Sequence, residues 1–211
     1  MRFFWMLSLL LTVSLPAAEP LTAPGSEIVS GKNDAEWQPL FTALAGKGAI
    51  FADITEYRWF KVRKQPVVVK GEMRLSPEHG LSLNYQDRTV IMDARGVLLR
   101  DSQGRSREVK PDPHTPAVNT WLLPVLRFDL PALRAAFRLQ GARADNAWRL
   151  DLVPLESAGG EATGTITVFG VDDAITRLEL RPKADLRIEI AIGATRTGVT
   201  FGADELQRYF R

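Results

Sequence analysis

From Ile50 onward the chain follows a period of two. Ile50, Ala52 and Ile54 alternate with Phe51, Asp53 and Thr55, and the pattern continues through Tyr57-Arg58-Trp59-Phe60. Val67, Val69, Met73 and Leu75 then share one side of a second stretch, and Leu81, Leu83 and Tyr85 follow after Pro77 and Gly80. Thr89–Met92 and Val97–Leu99 complete this first block. Trp148–Val153, Thr165–Phe169, Ile175–Leu180 and Leu186–Ile192 form another. Successive side chains of a strand point to opposite faces, so each segment carries one apolar face that must be covered. The strands do not alternate with helices, which argues against a parallel nucleotide-binding sheet. The expectation is α+β: an antiparallel sheet with helices on one side.

Helical spacing is confined to a few places. Asn33 or Asp34 can cap a short helix through Ala45, with Trp37, Leu40, Phe41 and Leu44 on one face and Gly46 and Gly48 ending it. Residues 100–116 are polar and proline-rich and read as a loop, and 203–210 as a terminal helical turn. Between the two strand blocks lies NTWLLPVLRFDLPALRAAFRL, residues 119–139. Arg127, Asp129, Arg134 and Arg138 interrupt it, so no uncharged piece approaches the roughly 20 residues a membrane span needs. It divides into two short helices. Thr120 is placed to cap the first and Asp129 the second, Pro131 is tolerated in a first turn, and Leu130, Leu133 and Phe137 line one face.

The first twenty residues, MRFFWMLSLLLTVSLPAAEP, place one positive charge before an apolar run and small residues after it. That order predicts a secretory signal peptide over residues 1–18, cleaved after Ala18, with an uncleaved anchor as the alternative. Residues 19–32 read as a flexible leader, and 33–211 as one domain. Cysteine is absent. An exported chain of this composition avoids thiol chemistry and offers no cysteine for a lipid anchor, and the periplasm of a Gram-negative bacterium is the expected compartment.

Basic residues number 27 and acidic ones 25. The signs alternate along the chain, without the basic block that nucleic-acid binding requires. His79 and His114 are the only histidines, each in a proline-containing turn, and no zinc or Cys-His arrangement can be assembled. Gly25–Lys32 has the wrong spacing for a phosphate loop, and no nucleophile elbow occurs. Asp53 and Glu56 fall on opposite faces of their strand, and Asp172-Asp173 is ordinary turn chemistry. No catalytic residue, metal or cofactor is indicated. What remains is apolar surface on strands and helices alike, arranged either as a filled core or as a concave face with room for an acyl chain.

Several motifs resemble those of the LolA-like lipoprotein carriers. Ile50-Phe51-Ala52-Asp53-Ile54-Thr55-Glu56 is similar to that family's first-strand motif, with Ile and Glu substituted, and Gly71-Glu72-Met73-Arg74-Leu75 to its Gly-Asp/Glu-Leu strand. Leu81 and Leu83 fall where its aromatic-x-Trp pair lies. Asp93–Leu98 resembles its Asp-Gly turn, Asn119-Thr120 with the apolar run its middle helix, and Trp148–Pro154 its aromatic-x-Leu-x-Pro strand. The motifs keep the family's order from about Trp37 to the end of the chain.

The resemblance implies a strongly curved antiparallel sheet, an incomplete β-barrel, with short helices forming a lid over an apolar concave face. It implies a soluble, monomeric, cofactor-free periplasmic carrier. Such a carrier shields the acyl chains of a lipoprotein or other lipidated cargo between an inner-membrane exporter and an outer-membrane acceptor. Ile50, Ile54, Leu81, Leu83, Tyr85, Trp121, Leu122, Val125, Leu126, Leu133 and Phe137 are then the candidate cavity and lid residues. A non-transporting module that senses envelope lipids or binds a protein partner is the alternative, and an acyl-processing enzyme the third. One departure stands out. The family's Arg-Pro after the Gly-Glu strand, whose Arg ties lid to sheet, is replaced by Ser76-Pro77, so that tie is not expected here.

Overall fold

The computed structural model describes residues 21–110, 118–155 and 164–211. The expected signal peptide and His114 lie outside these. The elements in chain order are β1 (Ser26–Glu27), α1 (Gln38–Ala45), β2 (Ile50–Phe60), β3 (Val67–Ser76), β4 (Gly80–Tyr85), β5 (Arg88–Asp93), β6 (Gly96–Asp101) and β7 (Ser106–Val109). There follow α2 (Val118–Arg127), α3 (Leu130–Ala136), β8 (Phe137–Ala144), β9 (Ala147–Pro154), β10 (Ile166–Val171), β11 (Ala174–Lys183), β12 (Leu186–Thr197) and α4 (Ala203–Tyr209).

Among the described residues the strands form one 12-stranded antiparallel sheet, in the order β1-β8-β9-β10-β11-β12-β2-β3-β4-β5-β6-β7. Its two halves meet where β12 pairs with β2, from Leu186 opposite Phe60 to Thr197 opposite Ile50. Register shifts at Phe169/Gly170, Leu180/Lys183 and Ile192/Thr195 add local bend and twist on this side of the sheet. The sheet does not close. Its free edges are β1, two residues long, and the fully exposed β7, and edges this short limit pairing with another chain.

The period-two reading holds for β2 to β6 and β9 to β12, and the fold is α+β as expected. Cross-strand partners carry one apolar face through the sheet: Ala52, Met73 and Leu83 in one half, and Ile190, Leu178, Val168 and Leu150 in the other, are all nearly sealed from solvent. α1, α2 and α3 pack against that face, and their Leu40, Phe41, Leu44, Leu122, Val125 and Leu133 join the sheet residues in one hydrophobic cluster.

Several details differ from expectation. Ser106–Val109, read as loop, is a strand paired to β6; every residue in it is exposed, so no alternation of polarity marked it. Phe137 is not the last helical residue of its stretch but the first of β8, whose Phe137, Leu139 and Gly141 face inward. Its spacing from Leu130 and Leu133 imitated a helix face. α2 starts at Val118, so Thr120 lies within it, whereas Asp129 caps α3 as expected by accepting the Ala132 N–H at 3.2 Å. Part of the stretch read as leader is paired: Ser26 and Glu27 lie opposite Gly141 and Gln140, and Ile28 is buried in the core.

α1 begins at Gln38 rather than after Asp34, because the Asp34 carboxylate is engaged elsewhere. It accepts the Gly31 N–H, the Gln38 side chain and Arg134 of α3, each at 2.9 Å.

α4 lies on the opposite, convex face, against the expectation of helices on one side only. There Phe51, Arg74, Ser82, Ile91 and Leu98 are successive cross-strand neighbours. The Arg74 guanidinium lies 3.8 Å from the Tyr209 ring centre and 3.6 Å from Glu205. Arg100 donates to the carbonyls of Gln207, Arg208 and Phe210, satisfying the C-terminal end of α4.

The Asp34–Arg134 pair joins the approach to α1 with α3. Arg134 is the main cause of an Asp34 pKa below the usual carboxylate value. The stabilisation is therefore present above the unfolded value of about 3.9 and lost as pH falls through the lower folded value. Asp34→Asn should melt below the wild type at neutral pH, with the gap narrowing in acid below that unfolded value. Thermal unfolding across that range checks this, and a gap that stayed constant with pH would contradict it.

Candidate functional site

The site is the concave face and its helical cover. β2 supplies Ile50 and Ile54, and β4 supplies Leu81, Leu83 and Tyr85; all are buried. α2 brings Trp121, Leu122, Val125 and Leu126 onto them, α3 brings Leu133, and β8 brings Phe137, whose ring meets that of Trp121 edge-on at 4.9 Å. All the candidate cavity and lid residues thus belong to, or pack against, a single cluster. In this arrangement the apolar side of α2 is buried, and Leu122 and Val125 are at most 3 % exposed.

Open space remains on the α1 side. A pocket of about 260 Å³ lies between Leu44, Ile50, Met73, Leu126, Ile175 and Ile192. The Lys47–Asp173 ion pair stands at its rim, and Lys47 holds the Asp173 carboxyl below its usual pKa. A shallower cleft of about 520 Å³ runs from Phe41 and Leu44 past Leu75 and Pro77 to Phe128 and Leu130 at the α2–α3 corner. Of these lining residues, Phe41 and Leu44 were visible as a helix face. Met73 and Ile192 were visible as strand faces, but only the folded chain shows that they meet at an opening.

The α2–α3 corner is held in two ways. Arg127, at the end of α2, donates from Nη2 to the carbonyls of Ser76 and Pro77, at 2.8 and 2.6 Å. A tie between lid and sheet is thus present at Ser76-Pro77, with the arginine supplied by the lid and the acceptors by the sheet's turn. Desolvation lowers the pKa of Arg127, yet a guanidinium stays charged at any physiological pH. Phe128 follows with a φ of 50°, the left-handed region that a bulky residue enters only under constraint. Its buried ring packs on Phe41 at 5.1 Å.

One polar group stands in the apolar wall. Glu56 is 5 % exposed; it accepts the Tyr85 hydroxyl and the Arg58 Nε–H, each at 2.5 Å. Burial, and then the Glu56 charge, push the Tyr85 hydroxyl pKa far up, so it remains a donor. Glu56 likewise raises the pKa of Arg58. The sequence separated Glu56 from Asp53 by parity but gave no sign of its partners. His79 lies elsewhere, with its ring 5.9 Å from Phe210 of the C-terminal segment. Glu56 and His79 therefore do not assemble into one acid–base site. Among the described residues, no helix is long and apolar enough to cross a membrane.

The fold is similar to that of a putative outer membrane lipoprotein-sorting protein domain from Vibrio parahaemolyticus, at 8 % identity and a TM-score of 0.45, covering 82 % of this chain and 94 % of that one. It is also similar to a LolA superfamily protein from Nitrosomonas europaea, at 7 % identity and a TM-score of 0.44, covering 80 % and 96 %. LprF from Mycobacterium bovis gives 12 % identity and a TM-score of 0.36, covering 79 % and 95 %. A comparison with curated protein sequences finds no match. The family described as outer membrane lipoprotein carrier protein LolA-like matches residues 30–209, and the chain belongs to that family.

Proposed function

We propose that this protein is a soluble periplasmic carrier that shields the acyl chains of a lipoprotein or other lipidated molecule in transit between the inner and outer membranes. The observation that carries this reading is the covered concavity. The concave sheet face is predominantly apolar, and part of its cover is a short helix pair tied at one corner to the turn after β3. The donor would be an inner-membrane exporter and the acceptor an outer-membrane receptor. The role needs no catalytic group, metal or cofactor.

The more enclosed pocket, at about 260 Å³, falls below the roughly 300–1,000 Å³ of typical ligand sites, and the cleft of about 520 Å³ beside it is an open surface groove at the α2–α3 corner. Cargo therefore enters by displacing α2. Lifting Leu122, Val125 and Leu126 off the sheet exposes side chains worth about 1.5–3 kcal/mol each, on the order of 5–9 kcal/mol together. An acyl chain recovers about 0.8 kcal/mol per buried methylene, so roughly ten methylenes match that cost. The exchange is nearly balanced, which makes loading reversible, as a carrier that must release its cargo requires.

The Arg127 bonds weight this balance toward the closed state. Arg127→Ala removes bonds from a charged donor, worth about 1.5–3 kcal/mol in such settings. Amide exchange in α2 should accelerate about tenfold or more while β2 and β12 keep their protection. Unchanged exchange in α2 would show that the bonds do not hold the lid.

For the carrier role itself, native mass spectrometry of protein recovered from its own periplasm should reveal bound acylated species. The delipidated protein should take up a fluorescent fatty acid that lipid displaces. Protein that is consistently lipid-free and does not bind the probe would rule the reading out.

A further inference from the structure

The far end of the sheet carries a feature that the lid and concavity do not use. β2 is 11 residues long, which sets its Phe60 end about 33 Å from the Ile50 end beside α1. Lys61, Arg63 and Lys64 lie in the turn that follows β2. Arg181, Lys183 and Arg187 flank the turn between β11 and β12. The Lys61 N–H donates to the Asp185 carbonyl at 3.0 Å, joining the two turns into one surface around a cleft of about 620 Å³.

Several arginines elsewhere in the sheet, Arg58, Arg74, Arg149 and Arg177 among them, sit beside a carboxylate. Here the balance is one-sided. Glu179 engages Arg181 at 2.7 Å and reaches Arg187 at 4.0 Å, but no ion pair forms to Lys61, Arg63, Lys64 or Lys183 among the described residues. Asp185 is the only acid in either turn. A chain of nearly balanced charge, 27 basic residues against 25 acidic, thus places four cations without an ion pair, Lys61, Arg63, Lys64 and Lys183, together at one tip. At that tip Val62 is 93 % exposed, the most exposed large apolar side chain described. Aromatic rings stiffen the surface beneath: Arg187 lies 4.9 Å from the Trp59 ring centre and Arg63 5.8 Å from that of Phe60.

We propose that this tip docks the protein on an anionic lipid surface, the cations meeting lipid phosphates and Val62 entering the headgroup layer. The physics favours a bilayer over a protein partner. Lys61, Arg63, Arg181, Lys183 and Arg187 line a wide, open cleft rather than an enclosed pocket, so mobile lipid phosphates can reach and adjust to them. A lone projecting aliphatic side chain amid lysines and arginines matches the boundary between headgroups and acyl chains. Each such cation contributes roughly a fivefold gain in partitioning to an anionic surface. The inference does not depend on cargo in the concavity, because the tip lies at the opposite end of β2 from the pocket.

The test is co-sedimentation of the protein with vesicles of phosphatidylcholine alone and of phosphatidylcholine mixed with phosphatidylglycerol. Binding should require phosphatidylglycerol and weaken as salt rises. The double variant Arg63→Glu, Lys64→Glu should lose at least about tenfold in vesicle affinity, and Val62→Asp should lose severalfold. Circular dichroism spectra and thermal unfolding midpoints should stay at the wild-type level in both, showing that they are folded. The proposal is overturned if phosphatidylglycerol gives no binding, leaving the cations to an acidic protein, or if the folded double variant binds these vesicles as the wild type does.

Discussion

The ladder between β12 and β2 is the contact on which the rest of the molecule depends. These strands lie at opposite ends of the sequence, and only their pairing turns two antiparallel meanders into one curved sheet. Without it neither half has a face deep enough to receive a helix, and α2 would have no surface to cover. The ladder also sets register. Ile54 lies opposite Ile192, Glu56 opposite Ile190 and Arg58 opposite Ile188, and a slip of one residue would turn the apolar row outward. The bulge between Ile192 and Thr195 keeps the pairing while bending the strand beside the pocket.

The cover is built from weaker material. α2 and α3 are short, a proline lies inside the first, and a strained Phe128 joins them. Apolar burial holds α2 down, and Arg127 fastens its end to a turn that has no arginine of its own. Changing which partner supplies the charge preserves the physical function of the tie, because two backbone carbonyls and a guanidinium make the same bonds from either side. Resistance to unfolding belongs to the strands, and the capacity to open belongs to the helices.

Much of this was legible in the residues because period-two alternation is strong wherever one strand face is buried. β2 through β6 and β9 through β12 show it. The signal failed where burial did not impose it. β7 is exposed on both faces, so Ser106–Val109 looked like loop. At the start of β8, Phe137 follows Leu133 of α3 by four residues and imitated one helical turn across a real helix–strand boundary. Arg127 was read only as a charge that forbids membrane insertion; its role follows from where α2 ends relative to the turn after β3. Glu56 was read only as lying on the opposite face from Asp53; its partners come from Arg58 two residues on and from a different strand. The basic tip was invisible for a similar reason, since its two turns are more than a hundred residues apart in sequence and meet only through the β12–β2 pairing.

The central claim is that α2 lifts off the concave face to admit an acyl chain. The chain lacks cysteine, so two introduced ones, Pro124→Cys on α2 and Ala94→Cys in the turn between β5 and β6, accept spin labels without background. Distances between them can be measured by pulsed electron resonance, with and without saturating fatty acid. The account predicts one short, narrow distance in the empty protein and a longer, broader population once lipid is bound. A single unchanged distance at saturating lipid would contradict it.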